Sequence, residues 1–487
     1  MISEHIKLAE DGVRLVELRL DFLRRPPDLG RLLPNRPTPV IVTARRKQDG
    51  GLWNSDEDSR LRLLRTAIAE GVDYVDLEYD TAKIIPRYHK TKRIVSYHNF
   101  EETPADLDRI LADMKTADPD LVKIVTTPRS ISDVFRMFAF LRKVNTPGNK
   151  IPVIGFCMTE MGVPTRVLGG KFGVPFGYAT FSDKRILAPG MLYYKTMRDQ
   201  YQVDRVDTET DVYGVIADPI AHTLSPLIHN ASFKAKGMNR IYLPFQVKSD
   251  DLSEFLDHAP EIGVRGLSVT IPHTVAVIPK LTQLDPAVEE ISACNTILYD
   301  AGKRFGYNTD YLASVLCIET AMGRKPGDPS PLEGKKALVM GAGGAGLAVA
   351  YGLMDKGARV TLTDINDELA EKVAGQFNCD FCPWEMRQSY LVQILANCTP
   401  VGMFPNVDDC PIGRDALRGG MYVFDAVYNP ENTCLLRRAR EKGCTTISGI
   451  EMFIGQACLQ FKLFTGQKAS AKLMRGLLKK ALAVSKD

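Results

Sequence analysis

A lysine sits in the middle of the apolar run Leu121-Val122-Lys123-Ile124-Val125, and a histidine ends the run Ile94–His98. An amine in an apolar strand is partly desolvated. That lowers its pKa and leaves a neutral nucleophile able to attack a carbonyl. Histidine titrates near neutrality and can move the protons that such chemistry requires. At the ends of other apolar β runs stand Glu17, Arg19, Arg45, Asp76 and Glu78. The arginines suit a carboxylate-bearing substrate. Any one of these charges would be ordinary as a solvated strand end. Seven on five successive strands point to a site.

A different chemistry is written in the far half. Gly341-Ala342-Gly343-Gly344-Ala345-Gly346 follows the apolar run Ala337–Met340 and opens the helical run Leu347–Leu353. A further β run, Arg359–Thr363, ends at Asp364. Strand, glycine turn, helix and a later acidic residue form a dinucleotide fingerprint. The glycines admit the pyrophosphate to the backbone, and the helix N-terminus favours its charge. Asp364 would bond a ribose 2′-hydroxyl and repel a 2′-phosphate. No arginine follows in Asp364-Ile365-Asn366-Asp367, so NAD is expected over NADP. The competing reading is that Asp364 caps the next helix.

Positioning the first group requires a parallel sheet. The β runs are Leu15–Asp21, Val40–Arg45, Tyr74–Glu78, Ile94–His98, Leu121–Val125, Val153–Cys157 and, weakly, Tyr178–Phe181. Helical patterns separate them, among them Ser55–Glu70 and Ser132–Val144. Such alternation predicts an α/β fold opening with a (β/α)8 TIM-type barrel, whose strand C-termini carry the site. Seven strands leave one missing. Because the chain opens on a helical pattern, Ser3–Glu10, the absent first strand would precede Met1. Residues 199–211 are polar and aperiodic and read as a linker. A two-lobed α/β module follows, with a Rossmann dinucleotide-binding domain. The expected domains are 1–200, then 212–310 completed by 450–487, and 311–449. Leu459–Val484 reads as one helical stretch.

The chain of 487 residues is 45% hydrophobic and 25% charged, which excludes a disordered or collagen-like protein. A net charge of +3 is too mild to argue for nucleic acid. The longest apolar stretch, Leu338–Met354, is interrupted by glycines, so no membrane span is expected. Only Cys157 precedes residue 294, which is no disulfide framework. A reducing, cytoplasmic compartment is expected. Cys379 and Cys382 form a CxxC without a second pair at zinc spacing, so no metal is expected. His222, His229 and His258 lack ligand spacing, and Trp53 and Trp384 read as packing residues.

Residues 1–195 resemble the type I 3-dehydroquinate dehydratases. The likeness rests on Glu17-Leu18-Arg19-Leu20-Asp21, Thr43-Ala44-Arg45, Asp76-Leu77-Glu78, Ser96-Tyr97-His98-Asn99-Phe100, Lys123 and Ala188-Pro189-Gly190. The resemblance implies that Lys123 forms a Schiff base with the substrate ketone. His98 would take the neighbouring C–H proton and assist loss of water. It also implies substrate contacts for Glu17, Arg19, Arg45 and Arg166, with no metal or cofactor. Three positions depart from the family. Asp49 stands where a glutamate usually orients the histidine. Leu187 and Met191 stand where a hydroxyl and a glutamine help close a lid.

Residues 212–487 resemble shikimate dehydrogenase. The motifs are Asp218-Pro219-Ile220-Ala221-His222-Thr223-Leu224-Ser225-Pro226, Ser268-Val269-Thr270-Ile271-Pro272-His273, Ala293-Cys294-Asn295-Thr296, Asn308-Thr309-Asp310, Asn397-Cys398-Thr399-Pro400-Val401-Gly402-Met403 and Gly449-Ile450-Glu451-Met452 with Gln456. The resemblance implies that Thr223, Ser225, Ser268, Thr270, Asn295, Asp310, Tyr428 and Gln456 surround a polyol acid. A dinucleotide would lie on Gly341, Ala342, Gly343, Gly344, Ala345 and Gly346, with Asp364, Asn397, Thr399 and Gly449 beside it. Most of the family uses NADP and has Asn-Arg-Thr or a near variant where this chain has Asp364-Ile365-Asn366. The family's acid/base lysine after the Pro-His pair is replaced by Thr274, which leaves Asp310 without that partner. The two resemblances together imply a fused enzyme that dehydrates 3-dehydroquinate and reduces 3-dehydroshikimate to shikimate. Alternatives are an NAD-dependent quinate/shikimate oxidoreductase in the second half, a second half that binds dinucleotide without turnover, and an inert barrel.

Overall fold

The computed structural model describes residues 1–487 except 26, 89, 185–186, 221–222 and 485–487. The motif residues Ala221 and His222 therefore lie outside the described residues. The chain forms two compact units, Met1–Thr210 with Phe245–His258, and Asp211–Pro244 with Ala259–Asp487.

In the first unit six strands lie side by side in chain order. They are β1 (Val16–Arg19), β2 (Val40–Thr43), β3 (Tyr74–Glu78), β4 (Lys92–His98), β5 (Leu121–Thr126) and β6 (Val153–Cys157). All adjacent pairs are parallel, because helices such as Glu57–Ala69 and Ile131–Val144 carry the chain back each time. The sheet is curled, as in a (β/α)8-type barrel short of its full set of strands. Alternation along each strand sorts its interior. Ile41, Ile94, Leu121 and Ile154 pack together as an apolar floor. Two residues further along each strand the same face carries Thr43, Ser96, Lys123 and Phe156. The weak seventh run forms no strand. Within it only Thr180 bridges, to Tyr193, and Pro175 and Gly177 just before it deny the run its ladder.

The second unit holds two sheets. One contains β7 (Asp211–Ala217), β8 (Arg240–Gln246), β9 (Val264–Val269), β10 (Gln283–Leu284), β11 (Thr296–Asp300) and β12 (Lys303–Tyr307) in the order β10-β12-β11-β9-β7-β8. Strand β11 runs antiparallel to both neighbours. The other contains β13 (Lys336–Met340), β14 (Arg359–Thr363), β15 (Asp380–Phe381), β16 (Ile394–Asn397), β17 (Tyr422–Asp425) and β18 (Thr445–Ser448), wholly parallel, in the order β15-β14-β13-β16-β17-β18. The order reverses between β13 and β16, the switch point where such sheets bind ligands. The predicted long terminal helix is two helices, Gly449–Thr465 and Ala471–Val484. Gly466, at φ 72°, ends the first in the left-handed region. Among the described residues no helix is long and apolar enough to cross a membrane.

Candidate active sites

Lys123 and His98 come from neighbouring strands. Ser96 lies opposite Lys123, and His98 opposite Val125, so the amine sits one inward-facing position below the imidazole. Both line a cavity of about 230 Å³ shared with Glu17, Arg19, Arg45, Asp49, Arg166 and Tyr178. Lys123 is buried, and its Nζ lies 3.0 Å from Asp76 Oδ2 and 4.1 Å from the Tyr178 ring centre. Burial is legible in the strand pattern, but this carboxylate partner is not. Burial alone pushes the Asp76 carboxyl up. The Arg45 and Lys123 charges and the Ser96 hydroxyl outweigh it and hold the group well below the usual carboxylate range.

Burial, then the Arg45 and Lys123 charges, push the His98 imidazole well below 6.5. His98 is thus a neutral base at neutrality. Its ring stacks on Phe100 with centres 6.1 Å apart, and its Nδ1 has no hydrogen-bond partner. Asp49 lines the same cavity but does not orient the histidine. Its carboxylate pairs with Arg46 at 2.6 Å instead. The rate of any reaction using His98 as base should stay flat from neutrality down through pH 6.5. It should fall only at lower pH, where the imidazole protonates. A limb centred at 6.5 in kcat/KM would show an exposed histidine instead.

The three arginines differ in what they have left to give. Arg45 donates to Asp76 at 2.7 Å and to Ser96 at 2.8 Å, and pairs with Glu78 at 3.1 Å. Arg19 is held by both oxygens of Asp21, at 2.9 and 2.8 Å. Arg166 is buried over the Phe156 ring, at 4.2 Å, and its Nε and Nη1 have no partner. Burial lowers it to about 10, and no described carboxylate neutralises it. A buried guanidinium in that state calls for an incoming anion. Glu17 accepts a hydrogen bond from Thr43 at 2.7 Å. Leu187 and Met191 face the cavity with apolar side chains. Tyr178, whose segment is legible only as a weak strand, is a lining residue that spacing did not single out.

In the second unit Asp310 begins the helix Asp310–Ala321, held there by Asn308 Oδ1 accepting its backbone N–H at 3.0 Å. Burial raises its carboxyl to about 6, against a hydrogen bond from Asn295. Asn295 is fixed by Thr309, whose hydroxyl it donates to at 3.0 Å and whose N–H it accepts at 2.8 Å. Thr274 lies on the short turn His273–Ala276. Its hydroxyl reaches the glycine loop, 3.4 Å from where a Cβ on Gly344 would stand. Lys280 is exposed in the following turn. Thr223 Oγ1 accepts from the Ser225 N–H at 3.3 Å, and Ser225 is buried. Ser268 is committed elsewhere. It accepts from Tyr242 at 2.6 Å and donates to Gln460 at 2.8 Å. Thr270 is exposed, Gln456 is half-buried, and Tyr428 packs its ring 5.0 Å from Phe453.

The glycine loop fits a dinucleotide. Gly341 has φ 106°, and a Cβ on Gly346 would stand 1.8 Å from the Gly341 carbonyl oxygen. No side chain caps the helix Gly344–Asp355, and a Cβ on Gly343 would meet nothing within 4 Å, so the first-turn N–H groups face open space. Asp364 accepts the Ala342 N–H at 2.7 Å and the Asn366 N–H at 2.9 Å. The cap of the next helix is Asn366, which accepts from the Leu369 N–H. Asn397 accepts from both the N–H and the hydroxyl of Thr399 and donates to Asp425 at 2.9 Å, shaping the loop after β16. Gly449 is required by packing, since a Cβ there would stand 2.4 Å from the Ala426 carbonyl oxygen. Among the described residues no group of three or more potential ligands could hold a metal ion.

Three family models match the chain: type I 3-dehydroquinase over residues 1–208, the shikimate dehydrogenase substrate binding domain over 215–297, and the shikimate 5'-dehydrogenase C-terminal domain over 449–479. A chloroplastic bifunctional 3-dehydroquinate dehydratase/shikimate dehydrogenase from Arabidopsis thaliana is 39% identical, over 99% of this chain and 82% of the relative. A solved shikimate dehydrogenase in complex with NADP+ is 33% identical with a TM-score of 0.53, over 56% of this chain and 96% of that one. A shikimate 5-dehydrogenase from Listeria monocytogenes, solved with shikimate and NAD, is 29% identical with a TM-score of 0.51, over 55% and 96%.

Proposed function

The chain belongs to the family of bifunctional 3-dehydroquinate dehydratase/shikimate dehydrogenases, a lyase fused to an NAD(P)-binding oxidoreductase, and from that premise we propose how its own residues divide the work. Residues 1–200 dehydrate 3-dehydroquinate. Residues 212–310 with 450–487 bind the resulting ketone, and 311–449 hold the dinucleotide. Ten free thiols support a reducing compartment such as the cytoplasm.

In the barrel the substrate carboxylate docks on Arg166, whose Nε and Nη1, without partners among the described residues, are the observation that carries this reading. Docking brings the ketone to Lys123. The amine adds to the carbonyl carbon and water leaves, giving an iminium. His98, neutral at working pH, removes the proton from the adjacent carbon. Its electron pair flows to the iminium nitrogen to give an enamine, which expels the hydroxyl on the next carbon as water with the proton His98 now carries, and hydrolysis of the new iminium frees the product from Lys123. Arg45 and Arg19 support the site through Asp76 and Asp21. Borohydride added during turnover of 3-dehydroquinate should fix the substrate to Lys123, read as a mass increase on that peptide. An unmodified Lys123 would remove the dehydratase assignment.

In the second unit Thr223, Ser225, Thr270, Asn295, Tyr428 and Gln456 supply the short polar groups that a polyol acid needs. A nicotinamide dinucleotide supplies the hydride chemistry. Asp310, near pKa 6, takes the hydroxyl proton in oxidation and returns one in reduction. Asp364 favours NAD, because its carboxylate, which accepts the Ala342 N–H at 2.7 Å in the glycine loop, would repel the charge of a 2′-phosphate. NAD is expected to be preferred by about tenfold or more in kcat/KM, for which 1.4 kcal/mol suffices. The double change Asp364→Ser with Ile365→Arg should reverse the preference, the serine keeping an acceptor for Ala342. Parallel assays of shikimate and quinate with both cofactors check this. Equal rates with NAD and NADP would count against Asp364 as the determinant. The same residue favours the reading in which the second half oxidises shikimate or quinate with NAD, and the quinate assay decides between them.

A further inference from the structure

Among the described residues lining the barrel cavity, Tyr178 bears the one aliphatic or aromatic hydroxyl. Position 187 is leucine and position 191 methionine, so that wall offers a polyol substrate no other side-chain hydroxyl or amide. Tyr178 is buried, with 9% of the residue exposed, and its hydroxyl has no hydrogen-bond partner among the described residues. A buried unpaired hydroxyl is destabilising, a cost that a bound ligand can remove. Its ring lies against the nucleophile, 4.1 Å from Lys123 Nζ to the ring centre. Phe156 and Phe176, with centres 6.2 and 5.9 Å away, fix the ring's position. The ring thus lies against the attacking amine, and Tyr178 lines the cavity that the amine opens into.

We propose that Tyr178 is a further catalytic residue of the dehydratase, donating a hydrogen bond to the substrate carbonyl oxygen while Lys123 adds to the carbonyl carbon. In that step the nitrogen–carbon bond forms, and the carbonyl π pair moves onto oxygen, where the phenol O–H meets it. Tyr178 keeps its proton throughout. The oxygen later leaves as water, with protons drawn from the lysine nitrogen and solvent. Burial, with Glu17 and Asp76 nearby, pushes the phenol well above 10, so it remains a donor across the working range.

This inference rests on the dehydratase reading, and the experiment separates the two. Native chain, Tyr178→Phe and Tyr178→Leu are mixed with 3-dehydroquinate and quenched with borohydride over time. Phenylalanine keeps the ring against Lys123 and loses only the donor. The adduct should form about 10- to 100-fold more slowly in Tyr178→Phe, with kcat reduced alike and KM little changed, as expected for a lost transition-state donor. Adduct formation at the native rate in Tyr178→Phe, with only Tyr178→Leu impaired, would make the ring a packing element and overturn the proposal. A native chain that forms no adduct overturns the dehydratase reading as well. Should Tyr178→Phe fail to fold, 3-fluorotyrosine at position 178 keeps the shape and lowers the phenol pKa. It should bring the alkaline fall of kcat to lower pH, and an unmoved profile would again refute the role.

Discussion

Lys123→Arg is expected to lower 3-dehydroquinate dehydration on the order of 10⁴-fold or more and to abolish borohydride trapping, while shikimate oxidation is unchanged. Arginine keeps a cation beside Asp76 but offers no free amine. That control matters because Asp76 is buried, and removing its partner costs about 3–5 kcal/mol. Lys123→Met should therefore lose both activity and thermal stability, whereas Lys123→Arg loses activity alone. His98→Gln should cost about 10²–10⁴-fold in kcat while leaving adduct formation intact, since the imidazole acts after the amine. Full dehydration by Lys123→Arg would place the chemistry elsewhere in the barrel.

The second large effect concerns Thr274. A threonine hydroxyl cannot exchange a proton near neutrality as an ammonium group can. Thr274→Lys is expected to raise kcat for NAD-dependent shikimate oxidation by about 10²–10⁴-fold. The position tolerates the change, since Thr274 is half-buried and Val275 and Ala276 beside it are exposed. Without the lysine, Asp310 works alone, and its carboxyl titrates near 6. Oxidation needs the carboxylate and should rise as pH passes 6, while ketone reduction needs the acid and should fall. Asp310→Asn should remove the remaining activity in both directions. If Thr274→Lys leaves kcat unchanged, Thr274 does not hold the proton-transfer position. If the native chain shows no turnover and the lysine restores it, the second half has lost its reaction while keeping its fold.

Much of this was legible before any coordinates. Strand β14 has the bounds that its apolar run predicts and β13 starts one residue before its run, because a buried parallel strand is a short continuous apolar run between glycines and charges. The barrel strands were legible for the same reason, and period-two alternation carried Lys123 and Ser96 to one face. The weak run at Tyr178 was not, because an inward aromatic beside Pro175 and Gly177 has the composition of a strand without the ladder. Partnerships were the least legible. Asp76 and Arg45 are 31 residues apart, and nothing local says that the guanidinium is already taken. Ser268 reads as a ligand contact until Tyr242 and Gln460 close on it from distant elements. The break at Gly466 was overlooked within a long apolar pattern, though a glycine in the left-handed region is a standard helix end.

The ion pairs around the lysine form one continuous row. Lys123 meets Asp76, Asp76 meets Arg45, Arg45 meets Glu78, Glu78 meets Arg60, and Arg60 meets Glu57 at the surface. Signs alternate along its whole length, and three cations face three anions. An iminium nitrogen carries the same single positive charge as the ammonium it replaces. The row thus carries the same charge in the covalent intermediate as in the resting protein, once the proton that the ammonium sheds before attacking has left with the departing water. Glu57 is the open end of this arrangement. Its loss would leave the row one negative charge short, five ion pairs away from the amine, and the intermediate would sense a change made at the protein's rim.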